Sequence, residues 1–242
     1  MKIINYYSPN FDIKKRSIKA IKVLVIHYTG MQSERESLSR LTNPKSKVSS
    51  HFVISKKGKI YRLISDDRVA WHAGKSFWGK LKNLNKSSIG IELVNKGHEF
   101  GYTKFTKHQL LSLIKICKML IKKYKINKKN VVGHSDIAPI RKIDPGEKFP
   151  WFKLAKNNIG IWHDYKYSFL KKYRKIKISK NKDRKKFIKN LNKIGYFISE
   201  NNNKRVLSKT IRAFQMHYRQ ELVNGILDKE CEFIAQNLSK KT

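Results

Sequence analysis

Five ionisable side chains stand where they could do chemistry. His27 directly follows the apolar run Val23-Leu24-Val25-Ile26, and His134 follows a second short run, Val131-Val132-Gly133. Asp144 comes shortly after, within Arg141-Lys142-Ile143-Asp144-Pro145-Gly146. Two imidazoles and a carboxylate at the ends of core elements are the donor types of a catalytic zinc site. Such a site takes three protein ligands and leaves a fourth position for water. Spacing alone does not select this set, because His51, His72 and Asp136 offer the same donors and there is no His-Glu-x-x-His helix. Glu92 lies inside Ser88-Ile89-Gly90-Ile91-Glu92-Leu93-Val94, with apolar residues on both sides. A carboxylate there is either a structural partner for a Lys or Arg, or a general base tuned by burial. If the segment around Lys142 is extended, Lys142 shares a face with Asp144, and its cation could steady the oxyanion of a tetrahedral intermediate. The bland alternative is one more surface lysine.

These side chains need a scaffold, and the pattern supplies one. Val23–Ile26 and Ser88–Val94 read as buried strands, and 130–133 as a final short one. Residues 51–54 and 60–64 flank Lys56-Lys57-Gly58-Lys59 and read as a hairpin. Thr106 to Tyr124 is the clearest helix. Leu110, Leu113, Ile114, Cys117, Leu120, Ile121 and Tyr124 form one stripe, and Thr106 is placed to cap it. Strands interleaved with helices indicate an α/β domain with a mixed central sheet flanked by helices. That domain is expected over residues 1–156. A basic linker is expected over 157–186, where Asp183 is the only acid between Lys171 and Lys186. A small all-α domain follows over 187–242, from the helical spacing of Phe187, Leu191 and Ile194, of Ile211, Phe214 and Tyr218, and of Cys231, Ile234 and Leu238.

Composition narrows the function classes. The 242 residues carry 55 Lys and Arg against 17 acids, a formal charge of +38. Such a surface attracts polyanions: nucleic acid, anionic lipid or an anionic wall polymer. The excess is lysine in a chain also rich in Asn and Ile, which a biased genome would equally produce, and no arginine cluster suited to base readout is visible. Nucleic acid is therefore not expected as the functional partner. No apolar run is long enough for a transmembrane segment. The first residues lack the apolar segment of a secretory signal. Two cysteines exclude a disulfide scaffold, and Cys117 and Cys231 both fall on apolar helix stripes.

Several motifs then coincide. His27-Tyr28-Thr29, Ser50-His51-Phe52-Val53-Ile54, Trp71-His72-Ala73-Gly74, Ser88-Ile89-Gly90-Ile91-Glu92, and Gly133-His134-Ser135-Asp136-Ile137-Ala138-Pro139 appear in order. Lys142-x-Asp144-Pro145-Gly146 and Phe149-Pro150-Trp151 complete the series. Together they resemble the zinc-dependent N-acetylmuramoyl-L-alanine amidases of the type-2 class, relatives of phage lysozyme-like amidases and peptidoglycan-recognition proteins. The resemblance spans about residues 20 to 155. It implies one Zn²⁺ per chain on His27, His134 and Asp144, with Glu92 as general base and Lys142 as the oxyanion-stabilising cation. His51 and His72 match the motifs but are not ligands in that pattern, so they are expected as pocket or structural residues. Tyr28 and Arg141 are expected to line the pocket beside Thr29. Asn85 and Lys86 are candidates to hold the carboxylates of a peptide.

The tail resembles a helical peptidoglycan-binding module. Its signs are Phe187-Ile188-x-x-Leu191-x-x-Ile194-Gly195-Tyr196, Ala213-Phe214-Gln215 and Asn224-Gly225-Ile226-Leu227-Asp228, with Ile194 and Asn224 departing from the usual Leu and Asp. An amidase followed by such a module is the arrangement of the branch that includes enzymes accepting anhydromuramyl peptides. The resemblance implies cleavage between the lactyl group of N-acetylmuramic acid and L-alanine, with peptidoglycan or muropeptides as partners. The competing readings are a non-catalytic wall-binding protein, a nucleic-acid-binding protein and a different zinc hydrolase such as an endopeptidase. An envelope location follows from a wall-binding tail; a cytoplasmic one follows from the missing signal.

Overall fold

A computed structural model describes residues 1–199 and 201–242 of the chain. Its centre is a six-stranded sheet in the order β1-β4-β3-β7-β2-β8. The strands are β1 (Ile3–Asn5), β2 (Val23–Tyr28), β3 (Phe52–Ile54), β4 (Ile60–Arg62), β7 (Ser88–Leu93) and β8 (Val131–Gly133). All neighbours run parallel except the β3–β4 hairpin. A separate hairpin, β5 (Phe77–Trp78) with β6 (Leu81–Lys82), lies outside the sheet. The strand predictions hold to within two residues. The edge strand β1, the β5–β6 hairpin and the helix α1 (Glu34–Thr42) are too short or too polar to have shown a period.

Because side chains alternate along a strand, the sheet has two distinct faces. Leu24, Ile26, Ile89, Ile91, Leu93 and Val131 form one core with helix α2 (Lys107–Tyr124). Thr106 caps α2, its hydroxyl accepting from Gln109 N–H. The buried stripe is Gln109, Leu110, Leu113, Ile116, Cys117 and Leu120; Ile114, Ile121 and Tyr124 sit at its margin, so the face is rotated slightly from the one predicted. The opposite face is shared. Towards β3 and β4 it is covered by Leu38 and Leu41 of α1. Beneath β2 and β8, Val23, Val25 and Val132 join a core built mostly by the C-terminal half.

The sheet and the C-terminal helices share that core. The span 157–186 is not a free linker: α5 (Tyr167–Tyr173) lies within it with Leu170 buried, and α6 (Asn181–Ile194) starts inside it. Lysine is a good helix former, so a basic run with few breakers folds once Leu170, Phe187 and Leu191 find a core. α6, α7 (Lys204–Tyr218) and α8 (Lys229–Leu238) then close on one another and on the sheet. Gly195 ends α6 at φ 138°, directly against the Trp78 ring, and its carbonyl accepts from Gly79 N–H at 2.6 Å. A Cβ at Gly195 would strike Trp78, so only glycine allows this docking. Two further short helices, α3 (His134–Ile137) and α4 (Trp151–Lys156), carry the segments after β8.

The motif residues of the tail hold its own fold together. Gln215 accepts from the N–H groups of Asn224 and Gly225 and donates to Ile226 O, and Asp228 caps α8 through Cys231 N–H. Both cysteines are buried, as predicted.

Candidate active site

Register fixes the site. His27 on β2 is directly opposite Glu92 on β7, and Ile26 is opposite Gly133, which places His134 just past the end of β8. Three neighbouring parallel strands thus end at one point, where open α/β sheets bind ligands. Asp144 arrives on a folded loop, held there by Ser135 N–H donating to Asp144 O at 2.8 Å. Gly133 is required for this approach: a Cβ there would fall 2.6 Å from Pro145 Cδ.

The three side chains converge. His27 Nδ1 lies 2.9 Å from Asp144 Oδ2 and 3.0 Å from His134 Nδ1, and His134 Nδ1 lies 3.1 Å from Asp144 Oδ2. All three residues are buried. Hydrogen-bond partners behind the rings decide where their protons sit. Ser88 Oγ donates to Leu84 O at 2.6 Å, so it must accept from His72 Nε2–H at 3.1 Å. His72 Nδ1 is then a bare acceptor for His27 Nε2–H at 3.0 Å, and His27 Nδ1 is left with its lone pair. His134 Nε2–H donates to Ala73 O at 3.1 Å, which frees its Nδ1 in the same way. Two nitrogen lone pairs and a carboxylate oxygen therefore face one another. A tetrahedral zinc with bonds of about 2.0–2.1 Å sets its ligand atoms roughly 3.3 Å apart, so the triangle closely fits such an ion.

Charge balance agrees. Burial, then the neighbouring His134, pull His27 down to about 4, so it is neutral at physiological pH. Burial alone would raise Asp144, but the facing His134 and His27 more than reverse it and hold the carboxyl ionised. Glu92 is pushed well above the usual carboxylate range by burial and then by Asp144, with Lys142 opposing. Its Oε2 is buried and, among the described residues, has no hydrogen-bond partner. A buried carboxyl oxygen with no partner, at the wall of a cleft, is of the kind that can exchange a proton with a bound molecule.

A cleft of about 420 Å³ opens over this group. It is lined by the three converging residues together with Tyr28, Thr29, His72, Glu92, Arg141 and Lys142. Arg141 is committed to structure, donating to the carbonyls of Ala73 and Lys75, so it braces the rim. Three candidate residues, His51, Asn85 and Lys86, lie elsewhere. His51 is wholly buried at the start of β3, where its Nδ1 accepts from Gly90 N–H at 3.0 Å and its Nε2 meets Arg16. Asn85 is outside the cleft, and its Oδ1 accepts from the N–H groups of His72 and Ala73. It shapes the loop that carries His72 and does not face a ligand. Lys86 does not reach the cleft either.

Sequence reasoning missed Arg40 and Lys96, which bring further positive charge to the walls, and the rim residue His98. Lys96 follows the strand of Glu92, so its position just after a strand with a candidate residue is the available signal. Arg40 had none, because α1 was not foreseen. Gly90 belongs to the Ser88–Glu92 motif, but only the fold shows its role: His72 rests on it, and a Cβ there would fall 2.6 Å from the ring.

Comparison with known proteins agrees with this geometry. Residues 17–147 match the family described as N-acetylmuramoyl-L-alanine amidase. The chain is 38% identical to the N-acetylmuramoyl-L-alanine amidase AmiD of Escherichia coli strain K12, over 91% of this chain and 83% of that protein. It is 35% identical to the 1,6-anhydro-N-acetylmuramyl-L-alanine amidase AmpD of Haemophilus influenzae, over 60% of this chain and 85% of that one. The solved structure of the amidase AmiD from E. coli, in complex with the substrate anhydro-N-acetylmuramic acid-L-Ala-D-γ-Glu-L-Lys, superposes with a TM-score of 0.81 at 36% identity, covering 95% of this chain and 92% of that one. AMPDH3 of Pseudomonas aeruginosa, in complex with anhydromuramic pentapeptide, gives 0.81 at 31% identity, covering 100% and 99%. With the sequence, the fold and the convergent site in accord, the chain belongs to the N-acetylmuramoyl-L-alanine amidase family.

Proposed function

We propose that this protein is a zinc-dependent amidase that cleaves the bond between the lactyl group of N-acetylmuramic acid, including its anhydro form, and L-alanine of the peptidoglycan stem peptide, in wall turnover or recycling. The observation that carries the metal assignment is the meeting of His27 Nδ1, His134 Nδ1 and Asp144 Oδ2, all three without a proton. These residues would hold the ion, and Zn²⁺ bound there supplies a Lewis acid that polarises a water and the scissile carbonyl. Glu92 takes the water's proton on its free Oε2 and passes it to the departing amine of L-alanine. Lys142, on the cleft wall, faces the negative oxygen that forms on the lactyl carbon. Lys96 and Arg40 make the walls cationic, suited to the carboxylates of a stem peptide. The muropeptide complexes of AmiD and AMPDH3 support this substrate class. The test is mass analysis after incubation with an anhydromuramyl tripeptide. Anhydro-N-acetylmuramic acid plus an intact tripeptide is expected; a cut inside the peptide would mark a peptidase.

A further inference from the structure

Asp136, two residues after His134, is 1% exposed and accepts three hydrogen bonds. Gly133 N–H donates to Oδ2 at 2.7 Å, His217 Nδ1 to Oδ2 at 2.7 Å, and the Tyr196 hydroxyl to Oδ1 at 2.6 Å. Two of the three donors come from the C-terminal helices: Tyr196 follows the end of α6, and His217 is in the last turn of α7. Both are locked in place. The His217 ring stacks between Trp151, at 3.8 Å and 14°, and Tyr218, at 4.0 Å and 14°. Tyr196 sets its ring against Trp78 and Phe214.

The helix that presents His134 is only four residues long, with one internal closing bond, Ala138 N–H to His134 O. It cannot orient an imidazole by itself. We infer that Asp136, Tyr196 and His217 are positioning residues for His134, so that the C-terminal helices form part of the outer shell of the metal site. The inference rests on His134 being a ligand. Partners that orient a ligand are worth about 10–100-fold in metal affinity or activity, and sites tolerate only about 0.5 Å of misplacement.

The test uses the full chain and measures zinc affinity by chelator competition, the absorption spectrum of the Co²⁺-substituted protein, and the Tm of the metal-free protein. Tyr196→Phe keeps the ring and removes one donor; Asp136→Asn keeps the shape and removes the charge. Both are expected to bind zinc about ten-fold more weakly, with a changed Co²⁺ spectrum, as loss of an orienting partner does. Ile234→Val loosens the same helical core away from Asp136; it should lower Tm and leave zinc affinity and spectrum unaltered. Wild-type zinc affinity in Tyr196→Phe, with only Tm lowered, would overturn the inference, and this variant decides the matter if Asp136→Asn fails to fold. No zinc binding by the unaltered chain would instead overturn the metal assignment itself.

Discussion

His27 and Glu92 are register partners on adjacent parallel strands, so their side chains leave the same face of the sheet at the same height. A proposed ligand and a proposed base are thereby held by backbone pairing, with no loop between them. Gly90, two residues before Glu92 on the same face, leaves room for His72 to reach behind His27.

This pairing separates the roles of the two residues in a substitution. Glu92→Gln keeps the shape and cannot accept a proton. Zinc content should stay at the unaltered level while kcat falls by roughly 10²–10⁴-fold, the usual worth of general-base catalysis. Loss of zinc from this variant would make Glu92 a ligand instead.

Lys142→Ala should also retain zinc. Its kcat should fall by about 10²–10³-fold, as for loss of one oxyanion donor, with little change in KM. A change confined to KM would place Lys142 in substrate binding.

The Ser88–His72–His27 chain predicts an effect at a distance. Ser88→Ala removes the acceptor that fixes the His72 proton, so His27 no longer has one enforced tautomer. Zinc affinity should weaken by roughly 10-fold or more, as for other partners behind a ligand. Chelator competition measures it, and unaltered affinity would show that the chain does not set the tautomer.

Much of this was legible in the sequence, and the boundary of legibility has physical causes. Val23–Ile26 and Ser88–Val94 are buried on both faces, so their apolar runs announced strands, and His27 and Glu92 stood out against them. The partners of His27 could not be ranked from spacing, because parallel pairing joins residues 65 apart whose register only the folded sheet reveals. Asn85 was a candidate to hold a peptide carboxylate, because a turn's use of a side chain to hold backbone N–H groups leaves no periodic trace. The packing of the tail was hidden for a different reason: its helical stripes are equally consistent with a private core and with one completed by Val25, Trp78 and Ile137.

That shared core makes truncation costly. Ending the chain at Leu170 would bare Trp78, Val25 and Ala73, and fully buried side chains such as Trp78 are each worth about 1.5–3 kcal/mol or more. The truncated protein should lose its cooperative thermal transition or show a greatly lowered Tm. A truncated protein with unaltered Tm would restore the picture of a separable module.

Acid should weaken the fold early. Burial, then Arg16, pull His51 down to about 3, and burial, then Lys241, pull His163 down to about 4. Both are neutral in the folded chain, whereas the unfolded chain takes up their protons below about pH 6.5. Their stability contribution is complete above that pH and is lost as pH falls towards 4. Each costs about 1.4 kcal/mol per pH unit in that window. Urea midpoints across it should fall less steeply for His163→Gln; an unchanged slope would mean that His163 is accessible to protons in the folded state.

The central claim is that His27, His134 and Asp144 hold a zinc ion needed for cleavage, and zinc content per chain tests it most directly. Elemental analysis of the purified protein, beside His134→Ala, is the measurement. About one zinc per chain is expected in the unaltered protein, as a single three-ligand site implies, with zinc and muropeptide cleavage lost together in the variant. Full zinc occupancy in His134→Ala, or cleavage by a zinc-free protein, would contradict the account.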